Sequence, residues 1–345
     1  MSKPCIFAGY VVASGLPDIT ESQAKRLTHL NVAFGVVRNK RISVEAIRPY
    51  FRFLPRLRAW NPELRILLST GGGNETGHGE ATADPESLAA FVDSVMAVVR
   101  EYDFDGIDCD WEFPCYHGNR AEKYQYTELL MAYRRALDAY AEERGKQCWL
   151  TIAAAAGQWF LEDVEMEKIH PLLDFLNLMT YDMRGWAQPT GHHTNLFEPE
   201  GAPVKFSAHE SVELLLRAGV PAEKIVIGAA FYSRRWDGVK STANHGLNQA
   251  AETQGGFGPD YTTIALVYEK NPAFSKYFDE TAKAPWLFDG YSFLSYDDPV
   301  SVRCKADYVK ARGLGGMMYW HHTADATGVL FDTIYQGLFP EPPAP

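Results

Sequence analysis

Between residues 104 and 114 the chain reads FDGIDCDWEFP, with Asp105, Asp108, Asp110 and Glu112 set among apolar neighbours. In a strand, alternate residues share a face. Asp108, Asp110 and Glu112 then line one side, and Ile107, Cys109, Trp111 and Phe113 the other. Carboxylates in a row on a covered face are costly unless cations pair with them or protons stay on them. The other apolar runs supply hardly any inward-pointing cations. The spacing therefore points to a coupled carboxylate relay that keeps its terminal acid protonated. Such an acid can give a proton to a leaving oxygen, as glycoside hydrolysis requires. Asp105 opens the stretch and is expected to brace the strand and tune it.

Elements must hold this row in place. Apolar, β-branched runs recur at 5–13, 29–37, 65–72, 104–113, 148–156, 174–183, 224–233 and 314–321, and most are followed by a helical stretch. In 84–103, Leu88, Phe91, Val92, Val95, Met96 and Val99 recur at helical spacing behind a capping Asp84. A second helix is expected over 126–145, closed by Gly145. Strand–helix alternation implies a parallel sheet with right-handed crossovers, and eight units suggest a closed (β/α)8 TIM barrel. An open doubly wound sheet is disfavoured, since no GxGxxG opens a helix after the first strand. Residues 235–297 are too long for one helix and read as a small α+β insertion between strands seven and eight. The barrel is then 1–234 with 298–345. The tail PEPPAP is expected to be a frayed end.

Composition narrows the partners. Net charge is −11 with no block of Lys or Arg, which excludes a nucleic-acid groove. No apolar run is long enough to span a membrane. The five cysteines follow no metal-ligand spacing, and the paired histidines His192-His193 and His321-His322 are adjacent in loops, so no metal or cofactor is expected. Aromatic residues make up 13% of the chain, a level that ordinary packing explains more simply than a sugar cleft does.

DGIDCDWE resembles the DxxDxDxE signature of family 18 glycoside hydrolases, the chitinase family. LLSTGG (67–72) is similar to that family's SxGG strand through Ser69, Gly71 and Gly72. LNLMTYD (176–182) resembles its MTYD strand and GHHTNLF (191–197) the loop beyond it, while GAAFYSR (228–234) and GGMMYW (315–320) resemble strands seven and eight. The resemblance implies the barrel independently of the strand count. It also implies a substrate-assisted, retaining mechanism that needs no protein nucleophile. Glu112 is then the general acid and base. Asp110 holds the substrate acetamide, Asp108 shares a proton with Asp110, and Tyr181 bonds the acetamide carbonyl. The same resemblance places Tyr10, Phe34, Met179, Asp182, Tyr232, Arg234 and Trp320 around the sugar, with Trp320 as the floor of the pocket, and Trp186, on the loop after strand six, is expected to stack a sugar on the leaving-group side.

The chain departs from that pattern at Gly73, where the family often carries a Trp, and at Ala230 and Ser233 in the seventh-strand motif. These positions bear on which glycan fits, and none touches the proton chemistry. The implied substrate is chitin or a chitooligosaccharide, acted on by a monomer. An endo-β-N-acetylglucosaminidase of N-glycans uses the same chemistry. A chitin-binding lectin is the reading from another class, and the presence of both Glu112 and Asp110 argues against it. Location stays open: cytoplasmic as the chain stands, with no signal peptide and an odd number of cysteines, or secreted if a leader has been trimmed.

Overall fold

The computed structural model describes residues 5–73, 77–201 and 205–339. The PEPPAP tail lies outside them. Eight parallel strands close into a barrel: Ile6–Val12, His29–Arg38, Arg65–Gly71, Gly106–Asp110, Trp149–Ala155, Phe175–Met179, Ile225–Ala230 and Gly316–Trp320. The first strand pairs with both the second and the last, which closes the sheet on itself. Among the described residues no helix is long and apolar enough to cross a membrane.

Period two sorts the strand residues. Val11, Leu30, Leu68, Ile107, Ile152, Leu176, Ile227 and Met317 face outward into one core shared with the helices, and all are buried. Truncating a residue of this kind to Ala costs about 2–5 kcal/mol. The helix Pro85–Glu101 covers this layer with Phe91, Val92, Val95, Met96 and Val99. It starts where expected because Asp84 accepts the Ser87 N–H at 2.8 Å. The next helix, Glu122–Arg144, begins earlier than its apolar pattern and ends on Gly145 at φ 64°. A smaller inner core holds Ala8, Tyr10, Phe175, Val226 and Met318.

Three strands end well before their apolar runs do, the sixth stopping at Met179 rather than 183. The fourth strand ends at Asp110, not at 113, because the chain leaves the ladder there and Glu112 is carried beyond the last strand pairing. The seventh ends at Ala230. Its apolar run continues because Tyr232–Trp236 opens a second, antiparallel sheet. That five-stranded sheet also contains Gly256–Asp260, Ser275–Asp279, Ala284–Phe288 and Phe293–Ser295, and it packs around Trp236, Trp286, Phe288 and Phe293.

The second sheet is stitched to the loop that follows strand six. The Trp186 N–H donates to the Gly255 carbonyl at 3.0 Å, and the Trp236 indole N–H donates to the Ala187 carbonyl at 2.9 Å. The His193 N–H donates to Ser295 Oγ at 2.9 Å. Loop and sheet thus form one wall at the carboxyl end of the barrel, the end where barrel enzymes keep their chemistry.

Candidate active site

Asp108 sits on the barrel axis and is wholly buried. Four donors converge on it. Thr151 Oγ1 donates at 2.6 Å and Asn177 Nδ2 at 3.2 Å to one carboxylate oxygen; Ser69 Oγ at 2.7 Å and the Tyr10 hydroxyl at 2.9 Å donate to the other. Burial raises its pKa, and these bonds work against the rise. Asp110 stands above it, 3% exposed, with Oδ1 enclosed and without a partner among the described residues. Burial, then the charges of Glu112 and Asp108, push its acid well above the carboxylate range. Glu112 comes next, toward the mouth. Burial and then the Asp182 charge push it up to about 7, against the Gly73 N–H bonded to its carboxyl.

Asp105 takes the other parity, and the structure places it at the barrel's outer base. It accepts from Arg58 at 2.7 Å, Lys146 at 2.8 Å, Arg144 at 3.3 Å and the Ile66 N–H at 2.9 Å. Burial would raise its pKa, but Arg58 and these other donors hold it low. Ile107, Cys109 and Trp111 share that outer face, and Trp111 stacks on His78 at 5.1 Å.

The neighbouring backbone approaches closely. Gly71 and Gly72 have φ of 113° and 89°, and a Cβ on Gly71 would lie 2.2 Å from the Asp110 carbonyl oxygen. The Gly72 N–H donates to that same carbonyl at 2.7 Å. A Cβ on Gly72 would strike the Phe34 ring, which stacks on Trp320 at 5.4 Å and 19°. Tyr10 lies 5.8 Å from Trp320, but its hydroxyl is committed to Asp108.

From strand six, Met179 and Tyr181 pack against the inner core. Among the described residues, the Tyr181 hydroxyl's close partner is the Met318 sulfur at 3.9 Å, a weak acceptor that leaves the donor for a ligand. Asp182, at φ 57°, accepts from the Tyr232 hydroxyl and Arg234 Nε, each at 2.6 Å, and its second oxygen lies 2.6 Å from Arg234 Nη2. Burial would raise Asp182, but His193 and Arg234 hold it well below the usual carboxylate range. The Arg234 guanidinium is buried between the rings of Trp186 at 3.7 Å and Phe257 at 3.9 Å, whose remaining surfaces stay open to solvent.

All the residues anticipated around the acids, Asp105 apart, therefore gather at one end of the barrel or inside it. Sequence reasoning misses Thr151, Asn177 and Phe257. Asn177 is visible in principle, since it alternates with Met179 on strand six. Thr151 follows the same rule on strand five. Phe257 sits in the glycine-rich QGGFGPD, where no periodicity marks it.

Residues 6–325 match the model of the family described as Glycosyl hydrolases family 18. Chitinase A1 of Niallia circulans is 33% identical over 301 residues, covering 80% of this chain but only 43% of its own length. The class V chitinase of Arabidopsis thaliana is 30% identical over 339 residues, 94% of this chain and 87% of that one. Among solved structures, a family 18 N-acetylglucosaminidase from Paenibacillus barengoltzii superposes with a TM-score of 0.94 at 47% identity, covering 97% of this chain and 100% of that one.

Proposed function

The chain belongs to glycosyl hydrolase family 18, and from that membership we propose that it cleaves β-1,4-linked N-acetylglucosamine in chitin or chitooligosaccharides, with retention and with help from the substrate. The observation that carries this reading is the row of Asp108, Asp110 and Glu112, the first two buried and the third part-exposed toward the mouth, with acids raised along it. Glu112 holds its proton near neutral pH and gives it to the glycosidic oxygen. The C1–O bond breaks, and its electron pair leaves with that oxygen.

A second carboxylate acting as nucleophile would have to be ionised and free. Asp110 is held protonated by burial and its neighbours, and the ionised Asp182 has both oxygens engaged by Arg234. The nucleophile is then the acetamide oxygen of the sugar itself, which bonds to C1 and gives an oxazolinium ion. Tyr181 donates to that oxygen and orients it. Asp110 accepts the acetamide N–H, passing its own proton to Asp108 as positive charge develops. Three of the four donors on Asp108 are hydroxyls, which can turn to accommodate that proton. Glu112, now ionised, takes a proton from water as the water attacks C1; the bond from C1 to the acetamide oxygen breaks, its electron pair restores the neutral acetamide, and the proton held by Asp108 returns to Asp110.

The test is hydrolysis of chitotetraose followed by proton NMR. The first product released is expected to be the β-anomer, and a fully deacetylated tetramer is expected to resist. A first product of α configuration, or equal cleavage of the deacetylated chain, defeats the substrate-assisted reading. The Paenibacillus relative favours a second reading, release of single N-acetylglucosamine units, which the product lengths distinguish. An N-linked glycoprotein assayed in parallel tests the N-glycan alternative.

A further inference from the structure

Behind Tyr181 and Asp182, away from the sugar pocket, lies an ion pair with no exposure on either side. Lys305 Nζ is 2.6 Å from Asp297 Oδ2, and both side chains are 0% exposed. Lys305 also donates to Thr194 Oγ1 at 2.6 Å. The Thr194 hydroxyl has two acceptors in reach, the Thr180 carbonyl at 3.1 Å and Asp297 Oδ2 at 3.0 Å, so it ties the pair to strand six. Asp297 Oδ2 accepts the Ala230 N–H at 2.9 Å, and Oδ1 accepts from Ser301 Oγ at 2.6 Å. Thr180 Oγ1 donates to the Gly228 carbonyl and accepts the Gly228 N–H, both at 2.8 Å.

One pair thus joins five segments: the end of strand six, the loop beyond it, the end of strand seven, the exit from the second sheet, and the helix Pro299–Arg312. Three of these segments lead within a few residues to a site side chain. Thr180 precedes Tyr181 and Asp182, Thr194 follows His193, and Ala230 precedes Tyr232 and Arg234. Buried ion pairs add little net stability over a well-packed apolar pair, but breaking one is costly, and the geometry they accept is narrow. An apolar pair would hold these segments together; it would not hold them in one register.

We infer that Lys305 and Asp297, with Thr194 between them and strand six, are positioning residues that set where Tyr181 and Asp182 stand relative to Glu112. None of the three touches the sugar. The role rests on the proposed reaction, because it is exerted on that site. Glu112 is faced by Asp110 from its own segment, by the Gly73 N–H, and by Asp182 and Tyr181 from the end of strand six. Loosening the pair lets Asp182 retreat, and the acid of Glu112 then falls.

The experiment compares wild type with Lys305→Met/Asp297→Asn, which removes both charges together, and with Thr194→Val, which removes only the bridging hydroxyl. Leu57→Ala, a truncation in the remote helix Leu54–Trp60, is the control for lost stability. With chitotetraose, the double variant is expected to lose about tenfold or more in kcat, the scale on which misplaced catalytic groups fail. Its alkaline limb should move to lower pH, and Thr194→Val should move the same way by less. Leu57→Ala should lower Tm and leave the limb in place. Hydrogen exchange gives a readout independent of turnover: the Gly228 and Ala230 amides should exchange at least about tenfold faster in both variants. If the double variant fails to fold, Thr194→Val decides. An unshifted limb with unchanged amide exchange in Thr194→Val overturns the positioning role. If wild type cleaves nothing, the proposed reaction fails, and amide exchange still tests the register.

Discussion

Replacing Glu112 by Gln should remove the activity and stabilise the protein, and the stabilisation should depend on pH. The Glu112 acid stands at about 7 in the folded chain against an ordinary 4.5. Each unit is about 1.4 kcal/mol, so ionising this group costs about 3 kcal/mol more in the folded state than in the unfolded one. The sign follows from which state holds the proton. Below pH 4.5 both states hold it, and the contribution of Glu112 to stability is fully present. As pH rises toward about 7 the unfolded chain releases its proton first, and that contribution is lost. Gln does not ionise and escapes the loss. With an unfolding entropy of about 2.1 cal/mol/K per residue, 3 kcal/mol corresponds to about 4 °C in Tm for a chain of this length. Calorimetry of both proteins at pH 4.5, 6 and 8 should show the gap opening across the series. Turnover of chitotetraose should fall about 10²–10⁴-fold in the variant. A Tm gap that stays constant over this range would mean that the carboxyl is not held protonated by its surroundings, and the acid assignment would lose its physical basis.

Three further outcomes are expected. Asp182→Asn should shift the alkaline limb of kcat/KM to lower pH, because the Asp182 charge is, after burial, what keeps Glu112 high; a pH–rate profile at saturating and limiting substrate checks it. Asp105→Ala leaves Arg58, Arg144 and Lys146 without their shared buried anion, and should cost about 3–5 kcal/mol in denaturant unfolding while kcat of the folded fraction changes little. Gly72→Ala should cut turnover by about tenfold or more by driving Phe34 off Trp320, whereas Gly73→Ala should be tolerated, since among the described residues its Cβ meets only the Glu112 oxygens, at 3.7 and 4.0 Å; steady-state kinetics of the two variants side by side checks the contrast.

The part of the site that period two governs is readable from residue types alone. Asp108 and Asp110 face inward and Ile107 and Cys109 outward because a strand leaves no other choice. The barrel follows from eight apolar runs alternating with helical stretches, with no dinucleotide-type glycine turn to mark an open sheet. Legibility fails where the ladder stops. An apolar run does not say where pairing ends, so its length overstates the fourth strand and carries the seventh into the second sheet. The bonds that fix Asp182 come from Tyr232, Arg234 and His193, which neighbour it in space only after the loop has folded onto that sheet. Phe257 reaches Arg234 through the same long-range docking. Cys109 acquires a context in the structure: its buried thiol lies within electrostatic reach of Tyr126 and Tyr133, with Thr70 across the strand.

The alternation in the fourth strand makes the centre a matter of parity. Sliding this strand by one residue against its neighbours would exchange the two faces at a stroke, turning Ile107 and Cys109 onto the axis and the acids into oil. No partial version of the row survives such a change. Beyond Phe113, and in the loop after strand six, the ladder has ended and the count of residues carries no such meaning. Changes of length are free to accumulate there, so the same proton row can sit beneath mouths of quite different shape. An engineer who wants a different glycan should lengthen and shorten those loops, and treat the strand below as a reading frame.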